Sequence, residues 1–162
     1  MTKYIIRSIN EEDISFLWEM LFESIYTPEG QEPASRDIIN NSSISKYVED
    51  WGRNGDMGYI AVNDLGQSLG SISIRYFNKE NKGYGYVNDD TPELGMAIRA
   101  EYRGRGIGTE LLKTLLEQAK MKGIKTISLS VDPMNPAINL YKRFGFKEIG
   151  MEGTSITMIV NL

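Results

Sequence analysis

The sequence predicts a single domain of the α/β (α+β) class over residues 1–162, in which one mixed, mostly antiparallel sheet of about seven strands is flanked by four helices. Short apolar runs bounded by turn residues alternate with longer segments whose apolar residues recur at helical spacing. Over residues 93–131 a strand, a glycine-rich turn, a helix and a second strand follow in order. This order predicts a parallel strand-helix-strand unit at the centre of the sheet.

The N-terminal part of the chain is predicted to begin with a strand and a helix. Residues 4–9 have strand character, and Asn10 is placed to cap a helix over residues 11–26. Because the apolar residues of this helix recur at helical spacing, Trp18 is expected in the core rather than at a ligand. Proline and glycine interrupt residues 27–36, which are therefore expected to form a loop.

A second helix and a hairpin are predicted next. The helix ends at the glycines of residues 52–55. Its apolar face consists of Ile44, Tyr47, Val48 and Trp51. Residues 57–62 and 68–77 are strand-like runs joined by a polar turn, so the sheet begins antiparallel. Residues 78–90 carry two tyrosines among glycines, and form either a long mobile connection whose tyrosines edge a pocket or a hairpin tip with aromatic cross-strand pairs.

The loop over residues 103–109, Arg-Gly-Arg-Gly-Ile-Gly-Thr, indicates a phosphate-bearing ligand. Glycines at a helix start let a ligand approach the backbone, where the first N–H groups have no partner inside the helix. The helix dipole and the nearby Arg99, Arg103 and Arg105 add positive charge, so a pyrophosphate is expected. The spacing fits neither a Walker loop nor G-x-G-x-x-G, which disfavours nucleoside triphosphates and dinucleotides. The alternative is a tight turn without a ligand.

The helix after this loop and the C-terminal elements complete the predicted sheet. The apolar residues of the helix share one face, and Gly123 follows its last turn as a C-cap signal. Residues 126–131 are predicted to form a strand parallel to residues 93–98, and Asn135 is placed to cap a short helix over residues 137–144. The two closing strands are residues 147–150 and 154–160.

Composition narrows the function classes. The chain has no cysteine and no histidine, so disulfides, thiolate metal sites and a cysteine nucleophile are excluded. Acid–base chemistry must then use carboxylate, tyrosine, lysine or water. A net charge of −4 argues against nucleic-acid binding. No segment has the sequence of a membrane span or a signal peptide, so a cytoplasmic protein that does not bind membranes is expected.

Two motifs stand in the C-terminal half of the chain. The first is Arg-x-x-Gly-x-Gly from Arg103 to Gly108. The second lies in residues 135–146 and contains Asn-Pro-Ala, Leu-Tyr and Gly-Phe. Together with the order of elements, these motifs resemble the GNAT superfamily of N-acetyltransferases, whose signature is Q/R-x-x-G-x-G/A. The resemblance spans the chain, although the N-terminal third matches only in its strand-helix-helix pattern.

The resemblance implies acetyl coenzyme A as co-substrate, a primary amine as acceptor and no metal. It places the pyrophosphate on the loop amides and the pantetheine arm beside the central strand, like an added strand. The implied coenzyme-binding residues are Arg103, Gly104, Arg105, Gly106, Ile107, Gly108, Thr109, Met96, Ala97, Ile98 and Asn135. Helix capping alone would also explain Asn135. Gly95 fits either a bulge that splays its strand from residues 126–131 and opens a cleft, or a packing glycine.

Two residues are predicted to carry the chemistry, in which the amine attacks the thioester directly. An amine near pH 7 is mostly ammonium and must first lose a proton. Glu93, on the strand entering the cleft, is the predicted base, and an exposed carboxylate at a strand edge is the alternative. Tyr141 occupies the position of the family's acid, which protonates the leaving thiolate. The alternative for Tyr141 is a core residue.

The acceptor and the oligomeric state remain open at this level. A small amine and a protein N-terminal or lysine amine are both compatible with the sequence, and so is a homodimer. Four acidic loop residues either rim the cleft for a cationic substrate or are simply solvated. These are Glu29, Glu32, Asp89 and Asp90. The competing hypotheses are a non-catalytic acyl-coenzyme A-binding or sensing domain and a purely structural domain.

Overall fold

The computed structural model describes residues 3–162 and contains a seven-stranded sheet in the order β1-β2-β3-β4-β5-β7-β6. The strands are β1 (Tyr4–Ser8), β2 (Met57–Asn63), β3 (Ser68–Arg75), β4 (Glu93–Ile98), β5 (Thr126–Val131), β6 (Lys147–Glu152) and β7 (Ser155–Asn161). The α-helices are α1 (Ile14–Glu23), α2 (Ser42–Ser45), α3 (Ile107–Met121) and α4 (Ala137–Arg143). All neighbouring strands are antiparallel except β4 and β5, which are parallel. The predicted fold class is confirmed.

Helix α3 supplies much of the main core. Its predicted apolar face packs on the sheet, with its central residues fully buried. The buried residues of this face are Ile107, Leu111, Leu112, Leu115 and Ala119. Gly123 adopts a left-handed φ of 84° just beyond the helix, as its C-cap role requires. This buried face fixes the loop at the start of α3 against the end of β4.

Helix α1 differs from its prediction in length and in the face that it buries. Asn10 and Asp13 form a capping box over a short 3-10 turn, after which α1 begins at Ile14. The helix buries Phe16 and Met20 in a cluster with the sheet, whereas Trp18 is only half-buried. The prediction that Trp18 lies in the core is therefore wrong. Apolar residues surround this helix on most sides, so periodicity alone does not select one face.

The second predicted helix is much shorter than expected, because α2 has four residues and the chain then continues in turns. The Arg75 side chain accounts for this. Its Nη1 donates to the carbonyl oxygens of Lys46 and Glu49 at 2.9 and 2.6 Å, and those oxygens would otherwise accept helical hydrogen bonds. The Nη2 and Nε groups of Arg75 donate to the two carboxylate oxygens of Asp56 at 2.8 and 2.9 Å. Both side chains are 3% exposed.

The two central parallel strands pair over only two residues each, at the beginning of β4 and in the middle of β5. Glu93 pairs with Ser128 and Leu94 with Leu129, after which β4 follows β3 while β5 follows β7. The register of β3 and β4 runs through Gly95 without a shift, so the predicted bulge is wrong. A Cβ at Gly95 would have no heavy atom within 4 Å, so the packing alternative is wrong as well. The strands diverge because each is committed to a different partner, and the divergence opens a gap.

No helix among residues 3–162 combines the length and the apolar character that crossing a bilayer requires.

Candidate active site

A cavity of about 330 Å³ lies where β4 and β5 diverge. Side chains from α1, the segment after α2, the sheet and α4 line it. Both predicted catalytic residues, Glu93 and Tyr141, are among them. They are 48 positions apart in the sequence, and the topology brings β4 and α4 to the same gap. The structure thus brings the two residues into one cleft.

Glu93 is a buried carboxylate with two hydrogen-bond donors. The side chain is at the first residue of β4 and only 5% exposed, so the exposed-edge alternative is wrong. Its Oε2 accepts the Tyr47 hydroxyl at 2.6 Å, and its Oε1 accepts the Gly85 N–H at 3.0 Å. Burial raises the pKa of Glu93 from its ordinary value to about 7, against these two hydrogen bonds and the charge of Lys46, which lower it. A carboxylate with this pKa can exchange a proton near neutral pH.

The Tyr47 partner of Glu93 escapes prediction from the sequence. Its hydroxyl also accepts the N–H of Tyr84 at 2.7 Å, so one hydroxyl joins the segment after α2, the 78–90 loop and β4. Burial and the Glu93 charge raise the pKa of Tyr47. In the sequence Tyr47 reads only as one member of an apolar helical face, and no local pattern links it to Glu93.

Residues 78–90 are packed down onto the site and do not form a hairpin tip with aromatic pairs. The one ladder contact in this segment is an isolated bridge between Asn78 and Asn81. A Cβ at Gly83 would collide with Glu93 Oε1, and a Cβ at Gly85 would lie 2.6 Å from the Leu129 carbonyl carbon. The alternating glycines of this loop are therefore the sequence signal of a close approach to the site. Of the two tyrosines, Tyr84 lines the cleft, as one hypothesis expected.

Tyr141 combines a core position with a place in the cleft. The side chain is 6% exposed, and its ring packs edge-on against Phe146 with centroids 5.7 Å apart. Burial raises its pKa to about 12, so the hydroxyl remains protonated at neutral pH. Among residues 3–162 this hydroxyl has no hydrogen-bond partner, and the residue lines the cavity. A protonated donor without a protein partner at a cleft suits a group that gives its proton to a ligand.

The edge of β4 that faces the gap offers backbone groups beyond the paired residues. Successive residues of a strand direct their N–H and C=O groups to opposite neighbours. Arg99 donates to Leu69 on β3 at 2.8 Å, so alternation turns Met96 and Ile98 towards the gap and Ala97 towards β3. Of the three predicted strand residues, Met96 and Ile98 therefore present backbone groups to the gap, whereas Ala97 can contact a ligand only through its side chain. The edge left open is the kind of surface to which an extended chain adds.

Five amides of the glycine loop have no acceptor among the described residues. Gly104 and Gly106 have left-handed φ angles of 76° and 84°, so the turn itself needs glycine. Among the described residues, the amides of Gly104, Gly106, Ile107, Gly108 and Thr109 have no acceptor, and the first helical bond here runs from Glu110 N–H to the Gly106 carbonyl. The loop is therefore a tight turn, as the alternative expected. Its amides without acceptors can also bind an anion.

The predicted arginine cluster is only partly directed at this loop. Arg99 pairs with Glu19 at 3.3 Å and Arg103 with Glu23 at 3.1 Å, both on α1. Arg103 Nε also donates to the Ile98 carbonyl at 3.0 Å, which leaves the Ile98 N–H and the Met96 groups on the open edge. These arginines tie α1 to the end of β4, a contact that no local pattern in the sequence indicates.

Asn135 caps α4 and lines the cleft. Its Oδ1 accepts the Ala137 N–H at 3.0 Å at the start of α4, which confirms capping, and the residue also lines the cleft. The four acidic loop residues that were candidates for a cationic rim are exposed and do not line the cavity, so the solvated alternative holds. No group of three or more acidic side chains within residues 3–162 is arranged to hold a metal ion.

The features of this cleft fit a coenzyme with a pyrophosphate and an extended amide-bearing arm. The loop amides could hold the pyrophosphate, and the open edge of β4 could pair with the arm. Glu93 and Tyr141 lie beyond that edge, where the end of such an arm would arrive.

Comparison with known proteins agrees with this geometry. Residues 17–146 match the model of the acetyltransferase (GNAT) family. A candidate ribosomal protein bS18-alanine N-acetyltransferase of Bacillus subtilis is 27% identical over 151 residues, 93% of this chain and 85% of that protein. An uncharacterized N-acetyltransferase of Methanocaldococcus jannaschii is 47% identical over 150 residues, 90% of this chain and 61% of the archaeal protein. The fold is shared with the PaiA N-acetyltransferase of Thermoplasma acidophilum in complex with coenzyme A, at a TM-score of 0.70 and 22% identity over 99% of both chains.

Proposed function

Since this chain belongs to the acetyltransferase (GNAT) family, we propose that it transfers the acetyl group of acetyl coenzyme A to a primary amine by direct attack. The observation that carries the proposal is the presence of Glu93 and Tyr141 in one cleft, beside an open strand edge and a glycine loop in which five amides have no acceptor among the described residues. The coenzyme supplies an activated acetyl thioester, and the protein supplies orientation and proton transfer.

The coenzyme-binding elements are the α3 loop and the open edge of β4. The amides of residues 104–109 receive the pyrophosphate, with the positive end of the α3 dipole behind them. Met96 and the Ile98 N–H pair with the pantetheine arm, because their groups face the gap. Asn135, at the far wall of the cleft, contacts the arm near its thiol end.

Glu93 acts as the base and Tyr141 as the acid. The arriving ammonium loses one proton to the Glu93 carboxylate, which has a pKa of about 7. A C–N bond forms as the C–S bond breaks, and the Tyr141 hydroxyl gives its proton to the sulfur. The nitrogen then returns a second proton to Tyr141, so the net products are amide, free thiol and one proton released from Glu93. The absence of cysteine from the chain agrees with direct attack.

Gly108→Asp tests the coenzyme site. Gly108 lacks a positive φ, and a Cβ there would lie 3.5 Å from Met96 Cε and 3.6 Å from Leu140 Cδ2, which are ordinary contacts. A carboxylate in the first turn of α3 also suits the helix dipole, so the fold is expected to persist. The same carboxylate lies where the pyrophosphate must bind. We expect calorimetry to show at least a 100-fold loss of coenzyme A affinity.

Lys113→Asp is the matched control, because it makes α3 more negative on an exposed face away from the loop. It should leave coenzyme A affinity near the wild-type value. Wild-type affinity in Gly108→Asp would refute the site. Tight coenzyme binding by the wild-type protein without thiol release across a broad amine panel would instead favour the non-catalytic sensing domain.

A further inference from the structure

One wall of the cleft is not used by the coenzyme-binding elements. It is formed by α1, the residues just after it and the segment after α2. Most of its side chains are apolar, and four of these are only half-buried: Leu21, Ile25, Ile44 and Trp51. Its polar side chains are Ser24, Tyr26 and Tyr47. Apolar surface left partly open inside a cleft favours an apolar ligand group over a polar one.

The charges that line the cleft are few, and the cation among them is already neutralised. Arg75, Glu93 and Asp132 are the charged residues of the lining within residues 3–162. Arg75 forms a two-point ion pair with Asp56 and donates its remaining Nη1 hydrogens to backbone carbonyls. Its side chain is 3% exposed. The lining therefore has no cation available for the carboxylate of a substrate.

The lining contains two carboxylates, both at the ends of strands. Glu93 is deep in the cleft, whereas Asp132 lies at the end of β5 and its Oδ1 accepts the Met134 N–H at 2.8 Å in a turn. A polyamine carries several ammonium groups along its length and would need carboxylates along the apolar wall, where the lining has none. The charges thus suit an acceptor with a single amine.

Most serine side chains of the lining lie on the sheet side. Ser71 and Ser73 are on β3 and Ser130 is on β5, while Ser24 on the α1 side donates its hydroxyl to the Leu21 carbonyl at 2.6 Å. A peptide laid against this wall would find few partners for its backbone N–H and C=O groups, because the Ser24 and Tyr47 hydroxyls already donate to Leu21 and Glu93. At about 330 Å³ the cavity is also at the small end of ligand sites.

We propose, resting on the acetyl transfer proposed above, that the acceptor is a small monoamine with an alkyl or arylalkyl substituent and no carboxylate. The substituent packs on the wall of Leu21, Ile25 and Trp51, and the amine faces Glu93. Free amino acids are rejected because nothing in the lining neutralises their carboxylate. Polyamines are rejected because the lining lacks carboxylates spaced along the wall. Peptide N-termini are rejected because the wall offers few hydrogen-bond partners for their backbone groups.

The test is thiol release from acetyl coenzyme A with matched amines. 2-Phenylethylamine and L-phenylalanine share a ring and an amine and differ by one carboxylate. We expect kcat/KM for 2-phenylethylamine to exceed that for L-phenylalanine, for spermidine and for a tripeptide with N-terminal alanine by at least 10-fold. n-Hexylamine should also be accepted, since the wall is apolar rather than specific for a ring.

Leu21→Ser tests the wall, and Leu65→Ser is its control because Leu65 is 80% exposed in the β2–β3 turn, outside the cleft. Leu21→Ser should raise KM for 2-phenylethylamine about 10-fold with coenzyme affinity unchanged, and Leu65→Ser should change neither. Equal or better use of L-phenylalanine, spermidine or the tripeptide overturns the acceptor class while acetyl transfer stands. Coenzyme binding without thiol release in the presence of any of these amines overturns the acceptor class as well. If the wild-type protein does not bind the coenzyme, the proposed function itself is overturned.

Discussion

The hydroxyl of Tyr47 donates a 2.6 Å hydrogen bond to Glu93 Oε2 and accepts the N–H of Tyr84 at 2.7 Å. The Gly85 N–H donates to Oε1 of the same carboxylate. Burial raises the pKa of Glu93, and the hydrogen bonds from Tyr47 and Gly85 lower it. The proposed base is therefore connected to the segment after α2 and to the 78–90 loop. Its proton affinity depends on contacts that are distant in sequence.

Tyr47→Phe should raise the pKa of Glu93 above its value of about 7, because the hydroxyl that favours the charged carboxylate is lost. The acidic limb of the kcat/KM profile should move to higher pH by the same amount. The Tyr84 N–H also loses its acceptor, so we expect the free energy of unfolding to fall by about 1–3 kcal/mol. Tyr76→Phe, which removes a hydroxyl that has no hydrogen-bond partner among the described residues, is the control. An unchanged pH profile in Tyr47→Phe would separate Tyr47 from the base.

Glu93→Gln should change how stability depends on pH. Burial raises the folded-state pKa from 4.5 to about 7, so the folded state retains a proton that the unfolded state releases between these values. This contribution is complete below about pH 4.5 and is lost as the pH rises through 7, with a total on the order of 3 kcal/mol. The variant should lack this decline in chemical denaturation at pH 5 and 8. Glu152→Gln, at an exposed position of β6, should keep it.

Glu93→Gln should also slow acetyl transfer in a pH-dependent way. If Glu93 removes the ammonium proton, the loss of rate should be greatest where the amine is protonated and should shrink as free amine becomes available at higher pH. Steady-state kinetics of wild type and variant over pH 6–10 would measure this. A deficit of the same size at every pH would make Glu93 a positioning residue instead of the base.

Tyr141→Phe separates a catalytic hydroxyl from a core side chain. The hydroxyl has no hydrogen-bond partner within residues 3–162, so its removal should leave the free energy of unfolding within about 0.5 kcal/mol of wild type. Coenzyme affinity should be retained. The value of kcat should nevertheless fall by roughly 10²- to 10⁴-fold, the usual contribution of a general acid. Wild-type kcat under conditions where chemistry limits the rate would leave Tyr141 with only its core role.

Gly85→Ala should destabilise the protein through the backbone of β5. The added Cβ would lie 2.6 Å from the Leu129 carbonyl carbon and 2.9 Å from the Ser130 nitrogen, and backbone atoms cannot move aside cheaply. We expect thermal or urea unfolding to show a loss of about 1–3 kcal/mol, with the Gly85 hydrogen bond to Glu93 weakened. Gly150→Ala, where a Cβ meets nothing within 4 Å, should be close to neutral. Equal stability of the two variants would contradict the close approach of the loop.

Several features of this protein follow from local sequence because their physical causes are local. The order of strands and helices, the buried face of α3 and the left-handed glycines of its loop depend on residue spacing and on backbone preferences within a few positions. The Asn135 cap is likewise a contact over two residues. Such features were predictable without knowing how distant segments meet.

Other features were decided only when distant segments packed together. Arg75 shortens the second helix by taking its carbonyls, 26 and 29 positions away, and Tyr47 reaches Glu93 across 46 positions. The divergence of β4 from β5 arises from competing strand partners and needs no bulge at Gly95, which sequence alone leaves open. The sequence placed a carboxylate at Glu93, but burial against the 78–90 loop determines its pKa, because desolvation and hydrogen bonding act through space rather than along the chain.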